Sequence, residues 1–386
     1  MEKTKKILIT GGGSGGHVSV ASGLIDSIRK RYPESYNDLL YVGGDLGMIG
    51  EDFGNSLEQR KLRNVDFKTR YIRAGKLQRR FSLSSIRLLF RTILGVIDSF
   101  KIINEEKPSL IFSTGGFVSV PVALAGWLKG IPIYLHEQTA TVGLSNKIVG
   151  KFAKRIYLAF ESSKNYFKET KTLLVGNIVR DAVKNCNTEN VTTDIKDIFT
   201  KNLEKPLIYI SGGGLGSHII NKKILSEIDD LLSEYRIILQ TGSNQKCNDY
   251  NKALEIKKNL PQEYKELFLP INFIEDNSIG YVYHYMNLFI GRAGANTVYE
   301  MGLLAKPSIF IPIPWVRNNE QFRNAKILED LGLATIVQEK EFQIENLKNR
   351  INSEINTLPR KNIDKTVLEK IFPSNAVEKV LNDMYT

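Results

Sequence analysis

The chain is poor in the residues that build metal sites and disulfide frameworks. Its 386 residues include two cysteines, four histidines and two tryptophans. Cys186 and Cys247 fall in different halves without ligand spacing, which excludes a disulfide scaffold and suits a reducing compartment. No paired Cys/His cluster exists to hold a structural zinc. Long apolar runs are missing too. The most apolar stretch, Ser109 to Leu135, is interrupted by Gly115-Gly116, Pro121, Gly126, Lys129 and Pro132. It reads as strand, turn, helix and strand, not as a membrane span. The first residues, MEKTKK, enter a strand without an apolar signal core, so no secretory leader is expected. The expectation is a protein that does not cross a membrane but can lie on one.

Acidic residues are in deficit. Asp and Glu number 42 against 53 Lys and Arg, a formal charge of +11. Such an excess suits an anionic partner. No nucleic-acid module accompanies it, so phosphates and anionic lipid are expected and nucleic acid is not. A plain bias toward Lys, Asn and Ile accounts for the charge equally well.

What is present is an alternation of short apolar runs with amphipathic stretches, the sign of βα units and a parallel sheet. Candidate strands in the first half are Lys6–Thr10, Leu39–Gly43, Phe67–Ile72, Leu110–Ser113, Ile131–His136, Arg155–Leu158 and Thr172–Val175. The second half repeats the plan with Pro206–Ser211, Arg236–Gln240, Asn272–Ile274, Leu288–Gly291, Ser308–Ile311 and Thr335–Val337. The length suits two domains. The expected division is 1–175 plus 372–386 for the first and 176–371 for the second. Lys184–Lys205 reads as a linker or small helices, and Ser374 as the N-cap of a last helix that returns to the first domain.

Glycine-rich turns follow two apolar strands about two hundred residues apart. They are Gly11-Gly12-Gly13-Ser14-Gly15-Gly16-His17 and Gly212-Gly213-Gly214-Leu215-Gly216-Ser217. Turns without side chains let backbone N–H groups approach a phosphate. The first also spells the dinucleotide fingerprint, for which Asp45 would be the ribose-binding acid of a nicotinamide enzyme. His17, at a helix start, faces a positive dipole that favours neutral imidazole. That makes it a candidate general base, with a structural helix-cap histidine as the plain alternative. Gly115-Gly116 forms another strand-end turn, and His136-Glu137-Gln138-Thr139 lies at the next strand end. In the second half, Arg292 to Glu300 pairs small residues at a helix start with Glu300, a carboxylate able to accept both hydroxyl protons of a ribose. The amide-rich segment from Asn318 to Asn324 suits sugar hydroxyls.

Together these pieces resemble the MurG family of inverting glycosyltransferases. The resemblance rests on Gly11–His17, Gly115–Pro121, His136-Glu137-Gln138, Gly212–Gly216, Arg292–Glu300, Gln321 and Asn324-Ala325, with Gly75–Arg80 similar to a basic segment of several members. It implies an α/β GT-B fold, two Rossmann-like parallel-sheet domains facing a cleft. It also implies transfer of N-acetylglucosamine from UDP-N-acetylglucosamine to undecaprenyl-diphospho-muramoyl-pentapeptide, in cell-wall synthesis and hence cell shape and division. The second domain would hold the donor through Gly214, Ile274 (uracil), Ala295, Asn296, Thr297, Val298, Tyr299, Glu300 (ribose) and Gln321 (sugar), aided by Arg180, Thr139, Ser14, Gly15 and Gly16. Gly13, Gly115 and Gly116 would meet the acceptor diphosphate, and His17 would take the hydroxyl proton. No cofactor and no catalytic metal are expected, since no Asp-x-Asp motif ends a strand. The implied place is the cytoplasmic face of the cell membrane, with Leu88, Phe90, Arg91, Leu94 and Trp127 touching an anionic lipid surface.

The sequence departs from the family pattern at Ile178, Thr139, Gly214 and Glu320. Gly214 removes a hydroxyl from the second glycine turn. Another lipid-linked glycosyltransferase, a UDP-sugar epimerase on the same two-domain plan, and a nicotinamide oxidoreductase are the alternative readings.

Overall fold

The computed structural model describes residues 4–45, 58, 59, 62, 65–75, 83–186, 188, 191–359 and 363–386, without the side chains of 83–89, 245, 277 and 317. The chain forms two compact units, Met1–Arg180 with Pro373–Thr386, and Asp181–Phe372.

The first unit is built on seven strands, β1 (Ile7–Gly11), β2 (Leu40–Gly44), β3 (Lys68–Ile72), β4 (Leu110–Gly115), β5 (Ile133–Glu137), β6 (Arg155–Leu158) and β7 (Thr172–Leu174), in the order β3-β2-β1-β4-β5-β6-β7. Every pairing is parallel. β1, β2, β4 and β5 are buried along their whole length, as strands covered on both faces must be. The crossovers run through α1 (Gly15–Arg31), α2 (Leu83–Glu106), α3 (Ser119–Leu128) and α4 (Leu144–Phe152).

The second unit carries β8 (Leu207–Ser211), β9 (Arg236–Gln240), β10 (Phe268–Ile271), β11 (Leu288–Gly291), β12 (Ser308–Phe310) and β13 (Ala334–Ile336), in the order β10-β9-β8-β11-β12-β13. Its helices include α5 (His218–Ser226), α6 (Asp249–Asn259), α7 (Ala295–Leu303), α8 (Glu320–Asp330) and α9 (Glu339–Ile344). In both sheets the strand order reverses beside the first strand, between β1 and β4 and between β8 and β11. Ligands of open α/β sheets bind at such switch points, off the carboxyl ends of the strands. The glycine turns follow these four strands.

Three expectations change. The strand expected at Asn272–Ile274 is instead β10, which contains Pro270. An edge position spares proline the central hydrogen-bonding role it cannot fill. The first unit runs to Arg180, and Phe372 belongs to the second, because its ring meets Tyr299 edge-on with centroids 5.2 Å apart. Lys184–Lys205, read as a linker or small helices, does hold a small helix, Thr193–Thr200, that buries Ile195 and Ile198. The last helix, α10 (Ala376–Tyr385), is preceded by Asn375 at the cap position, with no side-chain cap bond.

That helix completes the first unit's core. Val377, Val380, Leu381 and Met384 join the cluster of Ile7, Ile9, Phe112 and Tyr157. Tyr385 stacks on Tyr32 with centroids 3.8 Å apart. Tyr157 donates to Asp383 at 2.7 Å, and Arg155 pairs with the same carboxylate at 3.2 Å. Leu381→Ala is expected to weaken the first unit by about 2–5 kcal/mol. Chemical denaturation checks this; an unchanged midpoint would mean that the helix contributes little.

Candidate functional site

At the first switch point the two glycine turns interlock. The Gly12 N–H donates to the Gly115 carbonyl at 3.2 Å. Gly115 and Gly116 have φ of 98° and 86°, a region that glycine enters without strain. A Cβ on Gly116 would collide with the Gly12 carbonyl and stand 3.0 Å from the His17 ring. A Cβ on Gly115 would likewise stand 3.0 Å from that ring. His17 therefore fits against backbone.

His17 lies in the first turn of α1, and Ser14 is the N-cap with extended φ and ψ and no side-chain cap bond. Gly15 and Gly16 open the helix. The Nδ1 of His17 is 2.7 Å from the Thr114 carbonyl. A carbonyl only accepts, so Nδ1 carries the proton and Nε2 is the basic nitrogen. The Gln138 amide is 2.8 Å from the same Nδ1, so its oxygen must face the ring as a second acceptor. Burial pushes His17 down to about 4, against an upward pull from the Thr114 carbonyl. The ring is thus neutral near pH 7.

The other rim residues are turned inward. His136 is fully buried and its Nε2–H donates to the Gly176 carbonyl at 3.1 Å. Burial pushes it, too, down to about 4. Glu137 accepts from Asn146 at 2.8 Å and from the Thr139 N–H and hydroxyl at 2.9 and 2.7 Å. Thr139, a predicted donor contact, is therefore engaged within its own loop. The Gly13 N–H donates to the Glu58 carboxylate, so a diphosphate at that N–H must displace a resident anion. Asp45 pairs with Arg91 at 2.5 Å. This removes Asp45 as a free ribose acid and engages Arg91, read above as lipid-facing, in an ion pair.

At the second switch point, the Gly213 turn is open, with nothing within 4 Å of a Cβ built there. The Gly214 carbonyl accepts from the Ser243 N–H at 2.9 Å and hydroxyl at 3.1 Å, lacing the turn to the loop after β9. The facing helix α7 begins at Ala295 after the Gly294 cap, with Asn296 and Thr297 partly exposed in its first turn. Val298 and Tyr299 are wholly buried and Glu300 nearly so, so the first two can offer a ligand only backbone. Arg292 is a strut. It bonds the Ile311 carbonyl and the Ser217 hydroxyl, both at 2.9 Å, and the Glu339 carboxylate.

Ile274 is buried and its N–H donates to Gln240 at 3.0 Å. The Gln321 oxygen accepts from the Ile313 N–H at 3.0 Å, leaving its NH₂ as the group for a sugar. Arg180 is the last residue of the first unit, just before helix Asp181–Lys184. The sequence reading missed His218, whose Nδ1 is 2.8 Å from Asp249. Its position one residue past the glycine turn was the available signal.

On the first unit, Phe90, Ile93 and Ile97 are 53–60% exposed along one stripe of α2. Trp127 and Leu128 are 50% and 56% exposed at the end of the neighbouring α3. Leu94 is half-buried. The side chain of Leu88, and Lys76, Arg79 and Arg80, lie outside the described residues.

The two lowered histidines carry a pH signature. A histidine held neutral by the fold contributes stability above its unfolded value near 6.5, and loses it as pH falls toward 4. For fully buried His136 this is roughly 3 kcal/mol. Denaturation midpoints are expected to fall between pH 7 and 4.5, less steeply in His136→Gln; identical slopes would remove His136 as the cause.

Comparison with known proteins agrees with this double architecture. Residues 7–158 match the glycosyltransferase family 28 N-terminal domain, and residues 207–374 the C-terminal domain of that family. The chain is 33% identical over 350 residues to the UDP-N-acetylglucosamine--N-acetylmuramyl-(pentapeptide) pyrophosphoryl-undecaprenol N-acetylglucosamine transferase of Geobacillus kaustophilus, covering 90% of each. It is 32% identical to a Bacillus thuringiensis protein of the same designation, numbered 2, over 98% of each. Among solved structures, Acinetobacter baumannii MurG aligns over 98% of both chains with a TM-score of 0.63 and 22% identity. The UDP-GlcNAc 2-epimerase of Neisseria meningitidis aligns with a TM-score of 0.65 and 14% identity, a likeness of fold alone. Matches to both domain models and to relatives along nearly the whole chain make it a member of glycosyltransferase family 28, within the MurG family.

Proposed function

We propose that this protein transfers N-acetylglucosamine from UDP-N-acetylglucosamine to a lipid-linked muramoyl-pentapeptide, with inversion at the anomeric carbon, at the cytoplasmic face of the cell membrane. The observation that carries this reading is identity above 30% with transferases of that name over 98% of both chains. An open glycine turn at the second switch point and a neutral histidine at the first are what such a reaction needs.

The donor is assigned to the second unit. Its diphosphate lies against the turn at Gly213-Gly214 and the first turn of α7, where backbone N–H groups and the helix dipole favour negative charge. The same groups stabilise UDP as it leaves with the bonding electron pair. Glu300 reads the ribose, the Ile274 main chain the uracil and the Gln321 NH₂ the sugar. The acceptor diphosphate meets the turns at Gly13, Gly115 and Gly116.

The acceptor oxygen bonds to the anomeric carbon as the bond from that carbon to the diphosphate breaks. The hydroxyl proton goes to Nε2 of His17, which Thr114 and Gln138 leave basic. A nitrogen near 4 is a weak base, but acceptor phosphates nearby raise it toward neutrality. His17→Asn is expected to lower kcat by 10²–10⁴-fold, with UDP affinity little changed. A variant with wild-type kcat would exclude this base.

The first unit meets anionic lipid through Phe90, Ile93, Ile97, Trp127 and Leu128, an apolar patch of the kind that lies in a membrane interface. The double variant Phe90→Ser, Ile97→Ser is expected to lose binding to anionic vesicles while UDP binding is kept. Equal loss of both would assign these residues to folding. The substrate assignment is tested with labelled UDP-N-acetylglucosamine and the undecaprenyl-linked acceptor. Label must enter that lipid; transfer to a different acceptor would overturn it.

A further inference from the structure

A histidine–carboxylate pair stands at the second glycine turn without a role in the reaction as described. His218 is the first residue of α5, with Ser217 at the cap position. Its Nδ1 is 2.8 Å from one oxygen of Asp249, which opens α6. The Asp249 side chain is only 9% exposed, whereas that of His218 is 44% exposed. The other Asp249 oxygen accepts from the Asn221 amide at 2.9 Å, and that amide also donates to the Thr241 carbonyl at 2.9 Å. Asn221 is fully buried. The Thr241 carbonyl is the group against which Gly216 packs, at φ 82°. The pair is thus pinned to the floor of the turn by a buried chain of hydrogen bonds. Among the described residues the Nε2 of His218 has no partner.

We propose that His218, oriented by Asp249, is a phosphate contact of the donor site, and that it supplies the side-chain donor absent at Gly214. This rests on the assignment of the UDP-sugar to the second unit. Asp249 accepts the Nδ1 proton, so Nε2 is the nitrogen that turns to a ligand. A phosphate oxygen there requires a proton on Nε2. The bound ring is then an imidazolium between two anions, and the hydrogen bond is charge-assisted on both sides. Two neighbouring charges are committed elsewhere. Glu339, on the α9 helix that also packs against α5, is bonded to Arg292. Lys223 of α5 is tied to Glu227 at 2.6 Å. Open space at Gly213 leaves room for the phosphate.

Calorimetry with UDP, and competition by uridine, test this on the intact protein. His218→Gln is expected to weaken UDP roughly 10- to 100-fold and leave uridine unchanged. His218→Arg, a cationic donor that still faces Asp249, is expected to restore most of the loss. Wild-type UDP affinity in His218→Gln would overturn the inference and leave the donor assignment standing. Equal losses in the Gln and Arg variants, or an equal loss for uridine, would overturn it in favour of packing. A wild-type protein that does not bind UDP overturns the donor assignment, and this inference with it.

Discussion

The constraint on which the first unit's site depends is the contact of one glycine turn with another. Gly116 lies so close to the Gly12 carbonyl that no side chain fits between them. That approach is possible because β1 and β4 are neighbours at the reversal of strand order, so their carboxyl ends emerge side by side. His17 then fills the space that two missing Cβ atoms leave. Its hydrogen-bond partners come from the end of β4 and from just beyond β5. A histidine held from three adjacent strand ends is fixed by the sheet itself, which is the rigidity that the proposed proton transfer to a defined nitrogen requires.

The second unit solves a related problem with other materials. Its turn is braced from beneath, by Ser243 on the Gly214 carbonyl and by Asn221 on Thr241. Arg292 spans from the end of β11 to the cap of α5 and to α9. Such a buried, multiply bonded guanidinium fixes geometry more than it adds stability. The backbone of the turn is thereby set in advance, and little ordering is left to oppose a ligand that binds there.

Much of this was legible in the sequence because parallel strands buried on both faces read as apolar runs, and because turns that must admit phosphate exclude side chains. β6, β9 and β11 fall where the pattern put them. The failures share a cause. β10 was hidden by Pro270, which an edge tolerates and a local pattern does not forgive. Arg91 sits in a basic, apolar helix that looks lipid-facing; its partner Asp45 is 46 residues away in sequence. Asp249 is 31 residues from His218, so nothing local marks that histidine as oriented. The polar run at the end of β5 looked like a ligand rim, yet His136, Glu137 and Gln138 are bonded to Gly176, Asn146 and His17, all distant in sequence or in the next helix. Pairings between distant side chains are set by topology, and periodicity carries no record of them.

The return of α10 to the first unit makes the second unit an insertion between residues 180 and 373. The second unit is continuous in sequence and can reach its full core as soon as it leaves the ribosome. The first cannot, because Val377, Val380 and Leu381 are synthesised after everything in the second. During synthesis the apolar face that α10 will cover, around Ile7, Phe112 and Tyr157, stays incomplete while nearly two hundred further residues are added. The connectivity therefore allows the second unit to close first and obliges the unit that carries His17 to close last.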